Sequence, residues 1–329
     1  MKHVKIFGTL GPACADQKTL LRMFSHGLDG MRLNLSHTVL EDAADMIEAF
    51  FSAADAANVK PELLIDMQGP ELRIGTLDAP LSLFAGDRIG ETSIPFPDAV
   101  CGALRDAPIG QEILLDDGKI LLIKEDPRGL TVRRGGVLES RKSVALPGYS
   151  IPSPALTETD LLHIRMAKRY GVTALMQPFV RSKADLIDVR RALEDAGCAH
   201  IRLFAKIESS DGLNRLHELL PHCDEIVIAR GDLGNAMPLW KLPAAQKRIA
   251  AACRAAGRRF TVVTQMLDSM MHRPVPTRAE VSDIFNAVLD GAASVMVTGE
   301  TAAGEYPVET IRYLVKTVRE AEAFRDKTR

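Results

Sequence analysis

The chain has few aromatic residues. Among 329 residues there are one tryptophan, four tyrosines and eleven phenylalanines, 5% in all. That is too few for a platform on which nucleic-acid bases could stack. Neither sign of charge is in excess: 41 Lys and Arg stand against 43 Asp and Glu, a formal net charge of −2. This removes the electrostatic ground for a nucleic-acid or acidic-membrane partner. No apolar run approaches the ~20 residues needed to cross a bilayer. The opening MKHVKIFGTLGP is too short and too polar for a signal peptide. The five cysteines, Cys14, Cys101, Cys198, Cys223 and Cys253, contain no CxxC pair, and an odd, scattered set fits reduced thiols. A cytoplasmic protein without nucleic-acid or membrane partners is expected.

What is present is a rhythm. Short apolar runs at 3–8, 29–34, 62–67, 172–177, 201–206, 224–229, 259–264 and 293–298 read as strands. Amphipathic stretches at 17–26, 38–57, 158–170, 182–197, 243–256 and 307–324 read as helices between or after them. Eight strand–helix repeats predict an α/β protein, a closed (β/α)8 TIM barrel whose site lies at the C-terminal ends of the strands. One stretch breaks the rhythm. From Arg73 to Ala145 there are turn signals and β-type runs, including a hairpin in ILLDDGKILLIKE, but no helical pattern. The expectation is a small all-β domain inserted after the third strand, with 1–72 and 146–329 forming the barrel and 73–145 a lid. Thr157 or Thr159 is placed to cap the helix that resumes the barrel.

If the barrel is right, ionisable residues should gather where strands end, because charge is costly inside a packed strand layer. They do. IRLFAKIE ends in Lys206 and Glu208, and IVIARGDLG in Arg230, Gly231 and Asp232. The second strand ends in Arg32, Asn34, Ser36 and His37. The third ends in Asp66, Met67, Gln68 and Glu71, with Arg73 beyond. The seventh ends at Thr264 and the eighth at Thr298 and Glu300. Arginine forks match phosphate and carboxylate oxygens. Mg²⁺ favours one or two carboxylates, with substrate oxygens and water completing the shell. Glu208 and Asp232 are the natural pair for a divalent ion. Asn34, Ser36 and Asp66 form a second set of hard oxygen donors, for a monovalent or divalent cation.

These residues also carry a family resemblance. TLGPA (9–13), MRLNLSH (31–37), IDMQGPELRIG (65–75), LDDG (115–118), ALPG (145–148), AKIES (205–209), ARGDLG (229–234), the long run TQMLDSMMHRPVPTRAEVSDIFNAVLDGA (264–292) and TGETAAGEYPVE (298–309) make the chain resemble pyruvate kinase over nearly its whole length. The resemblance implies the barrel with an inserted β-domain, and phosphoryl transfer between phosphoenolpyruvate and ADP to give pyruvate and ATP through an enolpyruvate. It implies Mg²⁺ or Mn²⁺ on Glu208 and Asp232. It implies K⁺ on Asn34, Ser36, Asp66 and the Met67 carbonyl, with Glu71 at the position that goes with K⁺ dependence. Lys206 would be the catalytic cation, Arg32 the phosphoryl grip, and Thr264 the group that positions substrate and proton. The backbone at Gly231 and Asp232 would take the substrate carboxylate. Asn34, His37, Arg73 and Lys142 would lie on the nucleotide side. The family's usual C-terminal regulatory domain is expected to be absent, and a homodimer through barrel surfaces is compatible with that.

The chain departs from the family pattern at Met67–Gln68, Gln177–Pro178, Ala145 and Ala236. These bear on the acceptor side. They motivate an alternative, a related barrel enzyme acting on phosphoenolpyruvate or an enolpyruvate with a different acceptor or as a lyase. A non-catalytic metabolite-binding protein is the remaining reading. Bland roles stand beside each assignment: Lys206 snorkelling from a strand end, Asp232 as a helix cap, Asn34 and Ser36 ordering a turn, His37 as a structural histidine and Arg230 as a scaffold for the site.

Overall fold

Eight parallel strands close on themselves in the computed structural model, which describes residues 3–69, 72–116, 118–127, 129–149, 151 and 154–328. They are β1 (Lys5–Thr9), β2 (Gly30–Asn34), β3 (Glu62–Asp66), β4 (Ala174–Gln177), β5 (Arg202–Ile207), β6 (Glu225–Ala229), β7 (Arg259–Val263) and β8 (Ser294–Met296). Each pairs with the next, and β8 returns to β1 with Ser294 opposite Lys5. The eight runs read from the sequence are these eight strands.

Two compact units divide the chain. The barrel unit comprises Met1–Gly69, Ala155–Gly231 and Pro243–Arg329. Phe7, Leu64, Met176, Phe204, Val227, Val263 and Met296 fill its interior. Because side chains alternate along a strand, whatever follows an interior residue by two also points inward. Leu64 is followed by Asp66, Phe204 by Lys206 and Phe7 by Thr9. The hydrophobic layer therefore carries a polar layer directly above it, at the C-terminal end.

The N-terminal end is closed differently. Glu225, at the start of β6, is buried and accepts from Thr261 Oγ1 at 2.6 Å, Ser294 Oγ at 2.9 Å and Arg259 Nε at 3.0 Å. Glu62 is paired with both Lys5 and Arg202. These charges are saturated by their neighbours and seal the barrel floor.

The helices start and stop where their caps dictate. Asp16 accepts from Thr19 N to open Gln17–His26, and Gly27, at φ 107°, ends it in the left-handed region. Thr157 and Asp160 form a capping box for Glu158–Ala167, so Thr157 and not Thr159 is the cap. No helix among the described residues is long and apolar enough to cross a membrane. All five cysteines are free, and burial pushes the Cys14 thiol up to about 11 and the Cys223 and Cys253 thiols up to about 12. Such thiols are poor nucleophiles at neutral pH.

The second unit comprises Pro70–Pro154 and Asp232–Leu242. It holds a five-stranded antiparallel sheet and a two-stranded one. The hairpin expected at ILLDDGKILLIKE is Glu112–Leu115 paired with Ile120–Lys124. Its core includes Ile94, Val100, Leu104, Ile113, Leu122 and Val132. One feature differs from the sequence reading: a helix, Asp98–Asp106, lies where none was expected. It is short and has no side-chain cap at its N-terminus, but its buried Val100, Ala103 and Leu104 fall at helical spacing, a signal that the turn residues around it masked. Its C-terminal end is held from outside. The buried Lys124 ammonium donates to the carbonyls of Leu104, Ala107 (2.8 Å) and Arg105 (3.4 Å). A cation at a helix C-terminus satisfies orphan carbonyls and opposes the helix dipole. Lys124→Met should therefore destabilise the protein by about 1.5–3 kcal/mol, the worth of charged hydrogen bonds. An unchanged urea-unfolding midpoint would refute that role.

Candidate active site

Period-two alternation delivers Asp66 and Lys206 into the layer above the barrel core, and strand register brings Arg32 beside them. Arg32 lies opposite Thr9 on β1 and Leu64 on β3. Asp66, buried at the end of β3, is the centre. Lys206 Nζ lies 3.1 Å from both its carboxylate oxygens, and Arg32 Nε donates to Oδ2 at 2.7 Å. Arg32 also reaches Thr9 Oγ1 at 3.3 Å. Lys206 then pairs with Glu208 Oε1 at 2.9 Å. The other oxygen of Glu208 accepts from the Phe179 N–H at 2.7 Å.

The result is an alternating row, Arg32–Asp66–Lys206–Glu208, formally neutral and largely withdrawn from water. Burial would raise the Asp66 carboxyl, but the Lys206 and Arg32 charges and their hydrogen bonds outweigh it. Its pKa lies below the ordinary carboxylate value.

A second cluster forms after β6 and β7. Thr264 and Gln265 sit at φ 80° and 53°. A β-branched residue in the left-handed region is strained, and such strain persists only where the surroundings impose it. Here Arg230 imposes it. Its guanidinium donates to Thr264 O at 2.7 and 3.1 Å and to Gln265 O at 3.2 Å, while Asp283 holds it at 2.5 Å. Gly231 lies against Thr264: a Cβ there would come within 3.1 Å of the Thr264 methyl. Arg230 is thus the scaffold that the sequence reading offered.

The remaining expected residues fall as follows. Asn34 Oδ1 accepts from Ser36 N at 3.3 Å, ordering the turn after β2, and Leu35 N joins that turn to Asp66 O at 2.9 Å. His37 is exposed. Met67 is buried, its N–H bonded to Met176 O at 3.1 Å. Asp232 lies in the first turn of the helix Arg230–Asn235 and not at its cap. Arg73 and Lys142 belong to the second unit. Arg73 donates to Arg141 O at 3.0 Å. Lys142 pairs with Asp116 at 3.2 Å and Glu139 at 3.3 Å, and its hydrogen bonds to these two carboxylates raise its pKa. Glu71 lies outside the described residues. Glu300 braces the loops, accepting from Leu267 N at 3.1 Å and Thr298 N at 2.7 Å.

Sequence reasoning did not single out Thr9, Phe179 or Asp283. Thr9 had a signal, a polar residue ending a strand. The Phe179 contribution is a backbone N–H and has none. Among the described residues no group of three or more His, Cys, Asp and Glu could hold a metal ion. Two carboxylates completed by substrate oxygens and water would still suit Mg²⁺.

A closed parallel barrel with a buried row of paired cations and carboxylates at its C-terminal face has the (β/α)8 architecture, in which functional sites lie at that face. The family model "Pyruvate kinase, barrel domain" matches residues 1–311, and the chain belongs to the pyruvate kinase family. It is 36% identical over 326 residues to the pyruvate kinase of Bacillus licheniformis, an alignment covering 95% of this chain and 56% of that protein. It is 37% identical over 350 residues to pyruvate kinase PKLR of Homo sapiens, covering 98% and 60%. It is 36% identical over 337 residues to the pyruvate kinase of Methylorubrum extorquens, covering 98% and 69%. The chain thus spans little more than half the length of the first two relatives.

The depressed Asp66 pKa fixes a sign. A carboxylate lowered in the folded state contributes stability that is complete above its unfolded value of about 3.9 and is lost as pH falls towards the folded one. Asp66→Asn should lower the melting temperature at neutral pH, since breaking a buried pair costs about 3–5 kcal/mol. It should also flatten the acid slope of melting temperature below about pH 4. An acid slope identical to that of the unaltered protein would contradict this assignment.

Proposed function

We propose that the protein transfers a phosphoryl group between phosphoenolpyruvate and ADP or another nucleoside diphosphate, giving pyruvate. The observation that carries this reading is Lys206, a largely buried ammonium held between Asp66 and Glu208. In so dry a layer a fixed cation stabilises developing negative charge far more than it would in water. Lys206 neutralises the phosphoryl group in transit and the enolate oxygen left behind. Arg32, its guanidinium aligned by Asp66 and Thr9, grips the phosphoryl oxygens. Backbone N–H groups at Gly231 and Asp232 receive the substrate carboxylate. Thr264 orients the proton delivered to the methylene carbon as enolpyruvate becomes pyruvate.

The donor chemistry fits the ions. Glu208 and Asp232 offer hard carboxylate oxygens for Mg²⁺ or Mn²⁺, which when bound neutralises phosphate charge. Asn34, Ser36, Asp66 and the Met67 carbonyl are the oxygen set proposed for K⁺. Glu71 is proposed at the position that goes with K⁺ dependence. Asn34, His37, Arg73 and Lys142 are proposed for the nucleotide side. Met67 and Gln177, two of the departures from the family pattern, are each 1% exposed. Met67 is packed and Gln177 donates to Ala155 O, which weakens the case for a different acceptor.

A coupled assay for pyruvate with phosphoenolpyruvate, a panel of diphosphates, Mg²⁺ and K⁺ tests the reading. Folded protein silent with every diphosphate would sink it. Lys206→Met should reduce turnover by roughly 10²–10³ or more, with retained turnover contradicting its role. Asp283→Asn, which loosens Arg230 and through it Thr264, should lower kcat by about 10²-fold, the cost of misplacing a reacting group by an ångström. KM for phosphoenolpyruvate should change little. A change confined to KM would place Asp283 in substrate binding instead.

A further inference from the structure

Three consecutive residues at the end of β4 engage three separate points of the barrel unit. Gln177 is buried, and its Nε2 donates to Ala155 O at 2.7 Å. Pro178 packs on Gly69 so closely that a Cβ on the glycine would lie 2.5 Å from Pro178 Cγ. Phe179, in the left-handed region at φ 51°, gives its N–H to Glu208 at 2.7 Å. Gly69 and Ala155 are the barrel residues that flank the Pro70–Pro154 segment of the second unit. Gly69 is held firmly: its N–H and that of Gln68 each donate to the fully buried Asp160 carboxylate at 3.1 Å.

Packing alone does not account for the glutamine. Its Oε1 is buried and has no hydrogen-bond partner among the described residues, a penalty that an apolar side chain of the same length would avoid. What the glutamine gains is the bond to Ala155. With Pro178 against Gly69 and Phe179 bonded to Glu208, there is no slack residue between the contacts. A shift of the chain at Gly69 or Ala155 must therefore be felt at the Phe179 N–H.

We propose that Gln177–Phe179 is a coupling segment that ties the placement of the Glu208 carboxylate to the chain path at Gly69 and Ala155, with Gln177 a positioning residue. Its consequence for metal binding rests on the function proposed above. The mechanical link rests on these contacts alone. By reciprocity, an ion that fixes Glu208 also steadies Gly69 and Ala155.

Amide hydrogen exchange resolved at Gly69 and Phe179, with and without Mn²⁺, tests this in the full chain. In the unaltered protein Mn²⁺ should slow exchange at both sites. Gln177→Met should speed exchange at Phe179 and weaken Mn²⁺ binding, each by about fivefold or more, with the melting temperature little changed. Gln177→Asn, which keeps the amide on a shorter stem, should fall between the two and serves if the Met variant does not fold. Exchange at Phe179 and Mn²⁺ affinity both unchanged in Gln177→Met would overturn the proposal. Exchange coupled as described in a protein that makes no pyruvate would retain the coupling and reject the catalytic reading.

Discussion

A carboxylate placed under two cations organises this barrel. Asp66 sits at the last position of β3, buried, with Lys206 across one side and Arg32 across the other. Without those partners it would be a buried charge of a kind that folded proteins avoid. With them it aligns both cations and sets the distance between them. The neighbouring features follow in sequence. Lys206 is held where it also meets Glu208, and Glu208 is turned by the Phe179 N–H. The Leu35 contact to the Asp66 carbonyl sets the turn carrying Asn34 and Ser36. Apolar groups of similar volume often replace such a network without loss of stability, but they would leave no fixed cation at the barrel mouth.

Both ends of the barrel are charged; on the floor side Asn58 takes the left-handed region at φ 53°, which asparagine tolerates, and the bulkier left-handed residues lie at the mouth. At the floor, Glu225 and Glu62 are surrounded by donors from neighbouring strands. At the mouth, non-glycine residues sit in the left-handed region at Phe179, Thr264 and Gln265, directly after β4 and β7. Strained backbone held in place by specific hydrogen bonds is a mark of a working face. The Arg230–Asp283 pair and the Phe179–Glu208 bond are those holding elements.

Much of this was legible in the residues. All eight strands follow from short apolar runs, because a strand buried on both faces needs little else. The inward placement of Asp66 and Lys206 follows from period two. The Lys206–Glu208 relation needed only two residues on one strand. Three things were not legible. The helix Asp98–Asp106 is short and set among turn residues, which hid the helical spacing of Val100, Ala103 and Leu104, and its C-terminal hold by Lys124 comes from another strand. Asp283 meets Arg230 across 53 positions of sequence, and periodicity does not report such pairs. Phe179 contributes a backbone N–H, which any residue but proline supplies. The departures at Met67 and Gln177 bore on the acceptor side in the sequence, whereas both side chains are buried, Met67 in packing and Gln177 in a bond to Ala155 O.

The pairing of β8 with β1 also constrains how the chain assembles. Ser294 and Lys5 lie far apart in the sequence, so the sheet stays open, with two bare edges, until β8 has been made. Arg32 and Asp66 meet early, since β2 and β3 are sequential neighbours. The second cation arrives only with β5, after the whole inserted segment has been made. Until then Asp66 has one partner and the nascent sheet has unpaired strand edges, the condition under which long-range parallel sheets are slow to form and prone to associate.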